Sequence, residues 1–310
     1  MLWLSFFLRL LPLSWSLAFG RGVAKLWYYV IPIRRQVARA NIERIYGNTL
    51  TPAQKTRILK ASFNHWCMYG IEMLLLPGLT KTLIQKRIKH ENFDILDQAI
   101  TRKKGVIVVT AHLGNFDLLG CAHAMLGYPL HVIFKDIHFA PARRFAKKVR
   151  DVSGIQAIEP RKSKEKIVKA LQQGDIVAFT VDQHMAAHRA IVCTFFGQLA
   201  ATSPAPVRFA FETGAAIIPA FMRRADQPGF HIASCEPVFV LETPYESLDA
   251  NIRHNTERLN RIFEKWILTW PEQWLWQHRR FKVHDAPDGW SIPADLAELV
   301  HKKLKTENHR

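Results

Sequence analysis

His112 and Asp117 lie five positions apart in VIVVTAHLGNFDLLG, residues 106 to 120, where an apolar run meets a Gly-Asn pair and a second apolar run follows. A carboxylate hydrogen-bonded to one imidazole nitrogen fixes the ring's tautomer and leaves the other nitrogen free to take a proton from a hydroxyl. The pair reads as a general base and its orienter. On one continuous helix those five residues would turn Asp117 about 140° away from His112, and the two could not readily meet. A tight turn at Gly114 and Asn115 removes the difficulty, leaving the histidine in a loop and the aspartate in the first helical turn, at the positive end of the helix dipole. The spacing alone is weak, because His131 with Asp136 and His231 with Glu236 repeat it. Those two histidines sit in stretches that alternate as strands; only His112 stands at a strand, turn and helix junction.

Such a junction needs a strand to end and a helix to begin at the same edge of a sheet. VIVVT at 106 to 110, HVIF at 131 to 134, GIQAI at 154 to 158 and DIVAFTV at 175 to 181 read as buried strands, with helical stretches at 115 to 126, 140 to 151 and 163 to 173 between them. Continuous apolar strands alternating with helices predict an α/β fold with a mainly parallel central sheet covered on both faces. His112 then follows the C-terminal end of its strand, the edge where open α/β sheets place ligands. AIVCTFF at 190 to 196, AAIIPAFMRR at 215 to 224 and FHIASCEPVFVL at 230 to 241 add strands, TSPAPVRFAFETG a helix, and residues 248 to 268 a long helix. Residues 35 to 90 read as basic and helical.

The first segment, MLWLSFFLRLLPLSWSLAFG, carries a single charge, Arg9, while Arg21, Lys25, Arg34, Arg35 and Arg39 follow it. Basic residues after the apolar stretch argue against a cleaved signal peptide and for a cytoplasmic catalytic portion. Residues 1 to 30 are expected to be a membrane anchor or interfacial helix, interrupted by Arg9 and Pro12, with a buried first helix as the alternative. A domain over 31 to 290 and a polar tail over 291 to 310 complete the division. Four cysteines, at 67, 121, 193 and 235, form no CxxC pair, so a disulfide framework is not expected. The formal charge of +17 points to an anionic partner. No RNP, KH or zinc-finger pattern supports nucleic acid in that role.

Several motifs in order carry a family resemblance: RRQVARANIERIYG, AHLGNFD, VDQH, TFFGQLAATSPAPVRFAFETGAAIIPAF and PEQWLWQHRRFK, covering about residues 20 to 284. Together they resemble the bacterial lipid A late acyltransferases, which are similar in turn to glycerolipid acyltransferases bearing H-x4-[DE], though their acidic FPEG-type block is not apparent here. The resemblance implies an inner-membrane enzyme that moves a fatty acyl chain from an acyl carrier protein thioester to a hydroxyl of a lipid A precursor, without a bound cofactor. It makes His112 the base and Asp117 its orienter. The oxyanion is then met by backbone N–H groups near Gly114 and Asn115 or by a cation, for which Lys135 is the candidate; the family usually has arginine there, and an ammonium lacks its planar fork. Asp182 and Gln183 of VDQH are expected to hold polar groups of the acceptor or to brace the His112 loop. Arg279 and Arg280, beside Trp270, Trp274 and Trp276, suit a membrane-interface edge that binds phosphate, with a Trp-rich core as the alternative for the tryptophans.

The basic residues Arg143, Arg144, Lys147, Lys148 and Arg150, with Arg161, Lys162, Lys164, Lys166 and Lys169, suit an acidic carrier protein and an anionic glycolipid, or form two solvated helix faces. Asp182, His184 and His188 raise a metal-dependent hydrolase as an alternative, weakened by the lack of an HExxH glutamate and by a loop setting. A scaffold without activity, or acylation of another glycolipid such as a phosphatidylinositol mannoside, also fits the sequence.

Overall fold

The computed structural model describes residues 1–133, 137–159 and 163–282. Lys135, Arg161, Lys162 and the expected polar tail lie outside the described residues. In chain order the helices are α1 Leu2–Leu10, α2 Leu13–Tyr29, α3 Arg35–Tyr46, α4 Pro52–Leu75, α5 Lys81–Arg87, α6 Asp94–Thr101, α7 Phe116–Leu126, α8 Ala140–Ser153, α9 Ser163–Gln172, α10 Ala205–Thr213 and α11 Leu248–Thr269. The strands are β1 Ile88–Glu91, β2 Val106–Thr110, β3 Leu130–Ile133, β4 Gln156–Ile158, β5 Ile176–Thr180, β6 Ile191–Phe195, β7 Gln198–Thr202, β8 Ala216–Arg224 and β9 His231–Cys235. Among the described residues two compact units interleave along the chain: those within 1–23, 67–180 and 208–240 form one, and those within 24–66, 181–207 and 241–282 the other.

The first unit contains a seven-stranded sheet of order β1-β9-β8-β2-β5-β3-β4, parallel throughout except where β8 meets β9. β2 lies near the middle with all five residues buried, which is why VIVVT has no polar alternation. Leu118, Leu119 and Ala122 of α7 pack with Val106 and Val108 of β2 in one apolar cluster. Gly127, in the left-handed conformation at φ +109°, stops α7.

Three strands differ from expectation, among them β7, whose QLAA stretch belongs to no expected element. β1 lies in the segment read as helical, and its IKHE sequence places only Ile88 fully inside. Residues 230 to 241 form a strand only over His231–Cys235; Pro237 has no amide to offer the ladder, and the chain returns as a single bridge from Phe239 to Ile217.

At the N-terminus Pro12 separates α1 from α2, and among the described residues no helix is long and apolar enough to cross a membrane. α1 buries Ser5 and Leu8, and the Ser5 hydroxyl donates to Leu74 O at 2.6 Å, while Trp3, Phe7 and Leu10 remain exposed. Trp15 and Phe19 of α2 are exposed as well.

The second unit is built on α11 and the antiparallel hairpin of β6 and β7, whose two-residue turn takes positive φ at Phe196 and Gly197. Glu264 accepts the Phe196 amide at 2.6 Å, and Asn260 donates to Thr194 O at 2.7 Å, so α11 holds the hairpin by its polar backbone groups. Trp266, Trp274 and Trp276 are fully buried in this unit.

Candidate active site

β2 ends at Thr110, and the chain turns through Ala111, His112, Leu113 and Gly114 before Asn115 caps α7. Gly114 takes φ +63° and bridges to Met222 on β8; a Cβ there would stand 1.8 Å from the Met222 carbonyl oxygen. Only glycine lets the backbone approach this closely. That carbonyl accepts the Asn115 amide at 2.9 Å. The Asn115 side chain accepts the Leu118 amide at 3.0 Å, satisfying one of the open donors of the first turn. The strand, Gly-Asn turn and helix junction expected around His112 is therefore present, with Asp117 in the first turn of α7.

His112 and Asp117 are both partly buried. Burial raises the Asp117 carboxyl above its ordinary range, opposed by the Tyr69 hydrogen bond and by the charge of His112. The two groups thus interact electrostatically. The His112 ring meets the Phe116 ring edge-on at 4.7 Å, and Phe116 stacks on Tyr69 at 5.5 Å.

Beneath the turn lies a buried charge cluster. Glu72 on α4 accepts from both Arg224 terminal nitrogens, the second at 2.8 Å, from Asn115 Nδ2 at 2.8 Å, and lies 3.2 Å from His231 Nε2. Burial alone would raise the Glu72 carboxyl, but His231 and Arg224 outweigh it and hold it well below the usual carboxylate range. His231, met in the sequence as one of three H-x4-[DE] histidines, is thus a buried partner of Glu72. Alongside, Leu75, Leu79, Leu83, Ile84 and Leu118 line an apolar recess that Glu72 and His231 also border.

The sequence profile described as bacterial lipid A biosynthesis acyltransferase matches residues 1–283. The chain belongs to that family. Among similar proteins, the lipid A biosynthesis palmitoleoyltransferase of Escherichia coli K12 is 24% identical over 293 residues, covering 88% of this chain and 92% of that one. The lauroyltransferase of the same organism is 28% identical over 272 residues, covering 87% and 85%. A lipid A biosynthesis acyltransferase of Haemophilus influenzae is 22% identical over 255 residues, covering 78% and 74%.

Asp182, Gln183, Arg279 and Arg280 of this acyltransferase belong to its second unit. Asp182 is buried and accepts the Trp274 indole N–H at 2.7 Å. Arg280 is fully buried, donating to Gln183 O at 3.1 Å, Ala201 O at 2.7 Å and Thr202 Oγ1 at 2.7 Å, with Phe195 under its guanidinium at 4.7 Å. Burial lowers its pKa to about 10, against the attraction of Asp182. The expectation that Arg280 binds phosphate is corrected: the side chain is fully buried, with both terminal nitrogens donating to protein oxygens, and Trp274 and Trp276 take the alternative reading, that of core residues. Arg279 is exposed. His188 is exposed and His184 partly so, and among the described residues no group of three or more His, Cys, Asp or Glu is placed to hold a metal ion. On α8, Arg143, Arg144, Lys147 and Lys148 are exposed, Lys147 pairing with Asp151 at 2.7 Å.

Sequence reasoning missed Tyr69, Glu72 and Arg224. One signal was available: Glu72 is the only acidic residue between Glu43 and Glu91, and it sits in the apolar run YGIEMLLLP. A lone carboxylate there must find cationic partners elsewhere in the chain.

Proposed function

We propose that this acyltransferase moves a fatty acyl chain from an acyl carrier protein thioester to a hydroxyl of a Kdo-bearing, tetra-acylated lipid A precursor, with His112 as the general base. The observation that carries the reading is the coupling of His112 with Asp117 at the C-terminal edge of β2 in a chain of this family. The acceptor hydroxyl gives its proton to an imidazole nitrogen as its oxygen attacks the thioester carbonyl. Asp117 stabilises the imidazolium so formed. The oxyanion draws on a cation, for which Lys135 is the candidate, because the Leu113 and Asn115 amides of the turn are already given to Ala111 O and Met222 O. Collapse of the tetrahedral intermediate expels the thiolate, which takes the proton back from His112, so no acyl-enzyme forms and no metal is required.

The apolar recess lined by Leu83 and Leu118 suits the acyl chain. The exposed cationic face of α8 suits an acidic carrier protein, and Arg279 an acceptor phosphate. The exposed aromatic and aliphatic side chains of α1 and α2 favour a chain lying in the cytoplasmic face of the inner membrane rather than crossing it. Mass spectrometry of the precursor, incubated with carrier-protein thioesters of graded length and membranes holding wild type or His112→Ala, tests the reading. One added acyl mass with wild type alone is expected. No added mass with either protein, in membranes shown to contain it, removes the lipid A assignment; equal transfer by both removes His112 as the base.

A further inference from the structure

The hydroxyl of Tyr69 donates to Asp117 Oδ2, and its ring lies nearly parallel to Phe116, at 22° with centroids 5.5 Å apart. Phe116 in turn meets His112 edge-on. The tyrosine thus touches Asp117 through its hydroxyl and Phe116 through its ring. It stands on the same α4 turn as Glu72, three residues away, and residues so spaced share a helix face. Glu72 bonds the Asn115 that caps α7, so a single turn of α4 grips the catalytic turn at two points.

We propose that Tyr69 is a positioning residue for this transferase: its hydroxyl occupies one oxygen of Asp117, fixing the carboxylate's rotation so that the other oxygen serves His112. The inference rests on the assignment of His112 as base. A carboxylate has two acceptor oxygens and a freely turning Cβ–Cγ bond; one strong donor at one oxygen removes that freedom. Burial, reinforced by the neighbouring Asp117 charge, pushes the phenol pKa up, so Tyr69 remains a donor wherever His112 is a neutral base. The hydroxyl also favours the ionised form of Asp117. Its loss lets the His112–Asp117 pair take up a proton at higher pH, whichever member holds it.

The test uses the full chain in detergent micelles, with the lipid A precursor and acyl carrier protein thioester as substrates, and three variants: Tyr69→Phe, 3-fluorotyrosine at 69, and His112→Ala. Tyr69→Phe keeps the ring stack, and fluorotyrosine keeps both ring and hydroxyl while strengthening the donor. Phenylalanine is expected to lower kcat about tenfold with KM nearly unchanged and to move the acidic limb of the rate profile up by about one pH unit. Fluorotyrosine moves the limb down. Nitrogen-15 NMR of the imidazole signal that disappears in His112→Ala follows the same proton uptake without substrate. Shifts of opposite sign in the two Tyr69 variants support the proposal. Lower kcat with an unmoved limb and unmoved imidazole titration assigns Tyr69 a packing role and overturns it, as does unchanged activity in Tyr69→Phe. If His112→Ala retains full transfer, the base assignment fails by itself, and the imidazole titration still decides whether Tyr69 acts on the pair.

Discussion

Glutamine at position 72 keeps the shape of the glutamate side chain and removes only its charge, leaving Arg224 and His231 buried against a neutral amide. In the wild type the Glu72 and Arg224 side chains are 7% and 10% exposed, so water does little to screen the pair or to replace it. Removing one partner of a buried ion pair costs about 3–5 kcal/mol, chiefly because the other charge is stranded. Glutamine's carbonyl oxygen can still accept from Asn115, which places Glu72→Gln near the lower end, about 3 kcal/mol. At roughly 2–4 °C per kcal/mol for a chain of this size, the unfolding midpoint falls by about 6–12 °C at pH 7. Because the folded carboxyl is held below its unfolded value, the stabilisation is complete above the ordinary carboxylate range and is lost as pH falls through the depressed folded value. The deficit of the variant therefore narrows below about pH 4, as the carboxyl takes up a proton. A double replacement of Glu72 and Arg224 by methionine strands no charge between them and loses less than the single change. Thermal unfolding followed by circular dichroism in detergent, across pH, is the assay. A midpoint within about 1 °C of wild type, or a deficit that goes on growing below about pH 4, would refute the claim that this cluster is a net stabilising ion pair.

Gly114→Ala puts a methyl group 1.8 Å from the Met222 carbonyl oxygen at φ +63°, so the turn must move away from β8 and give up the Asn115 amide bond. Transfer activity is expected to fall at least a hundredfold, measured against circular dichroism to confirm that the sheet remains. The two C-terminal arginines separate by burial. Arg280→Met strands acceptors on the β6–β7 hairpin and the chain before it, and is expected to destabilise by about 2–4 kcal/mol in denaturant unfolding, whereas Arg279→Ala leaves stability within about 0.5 kcal/mol.

The parallel core was legible because its physics is local. β2 is buried throughout and β5 mostly so, and their sequences are nearly unbroken apolar runs between turn residues, while α7 announces itself by the Gly-Asn turn before it. β1 was hidden because IKHE has one inward apolar residue and pairs on a single side, with β9. β7 was hidden because QLAAT has few β-branched residues, and its burial depends on the hairpin it makes with β6. HRR read as a surface cation cluster because nothing in the triplet itself tells Arg279 from Arg280; carbonyls 79 and 97 positions away make the difference.

The same contrast separates the dyad from its supports. His112 and Asp117 are close in sequence, with one turn between them, so the strand, Gly-Asn turn and helix pattern around them was legible where their spacing alone was weak. Glu72 meets Asn115, Arg224 and His231 across 43, 152 and 159 positions, separations over which no periodicity extends. What could be inferred was an obligation without an address: a carboxylate inside an apolar helical run must be paired or protonated. The sheet supplies the address. β8 runs parallel to β2, so Arg224, at the last position of β8, projects beyond the same C-terminal edge at which β2 delivers His112. β9 runs back from that edge, and its first residue is His231. The reversal between β8 and β9 thus puts a cation and an imidazole side by side at the end of the sheet where the His112 turn begins, and Glu72 joins them to it through Asn115.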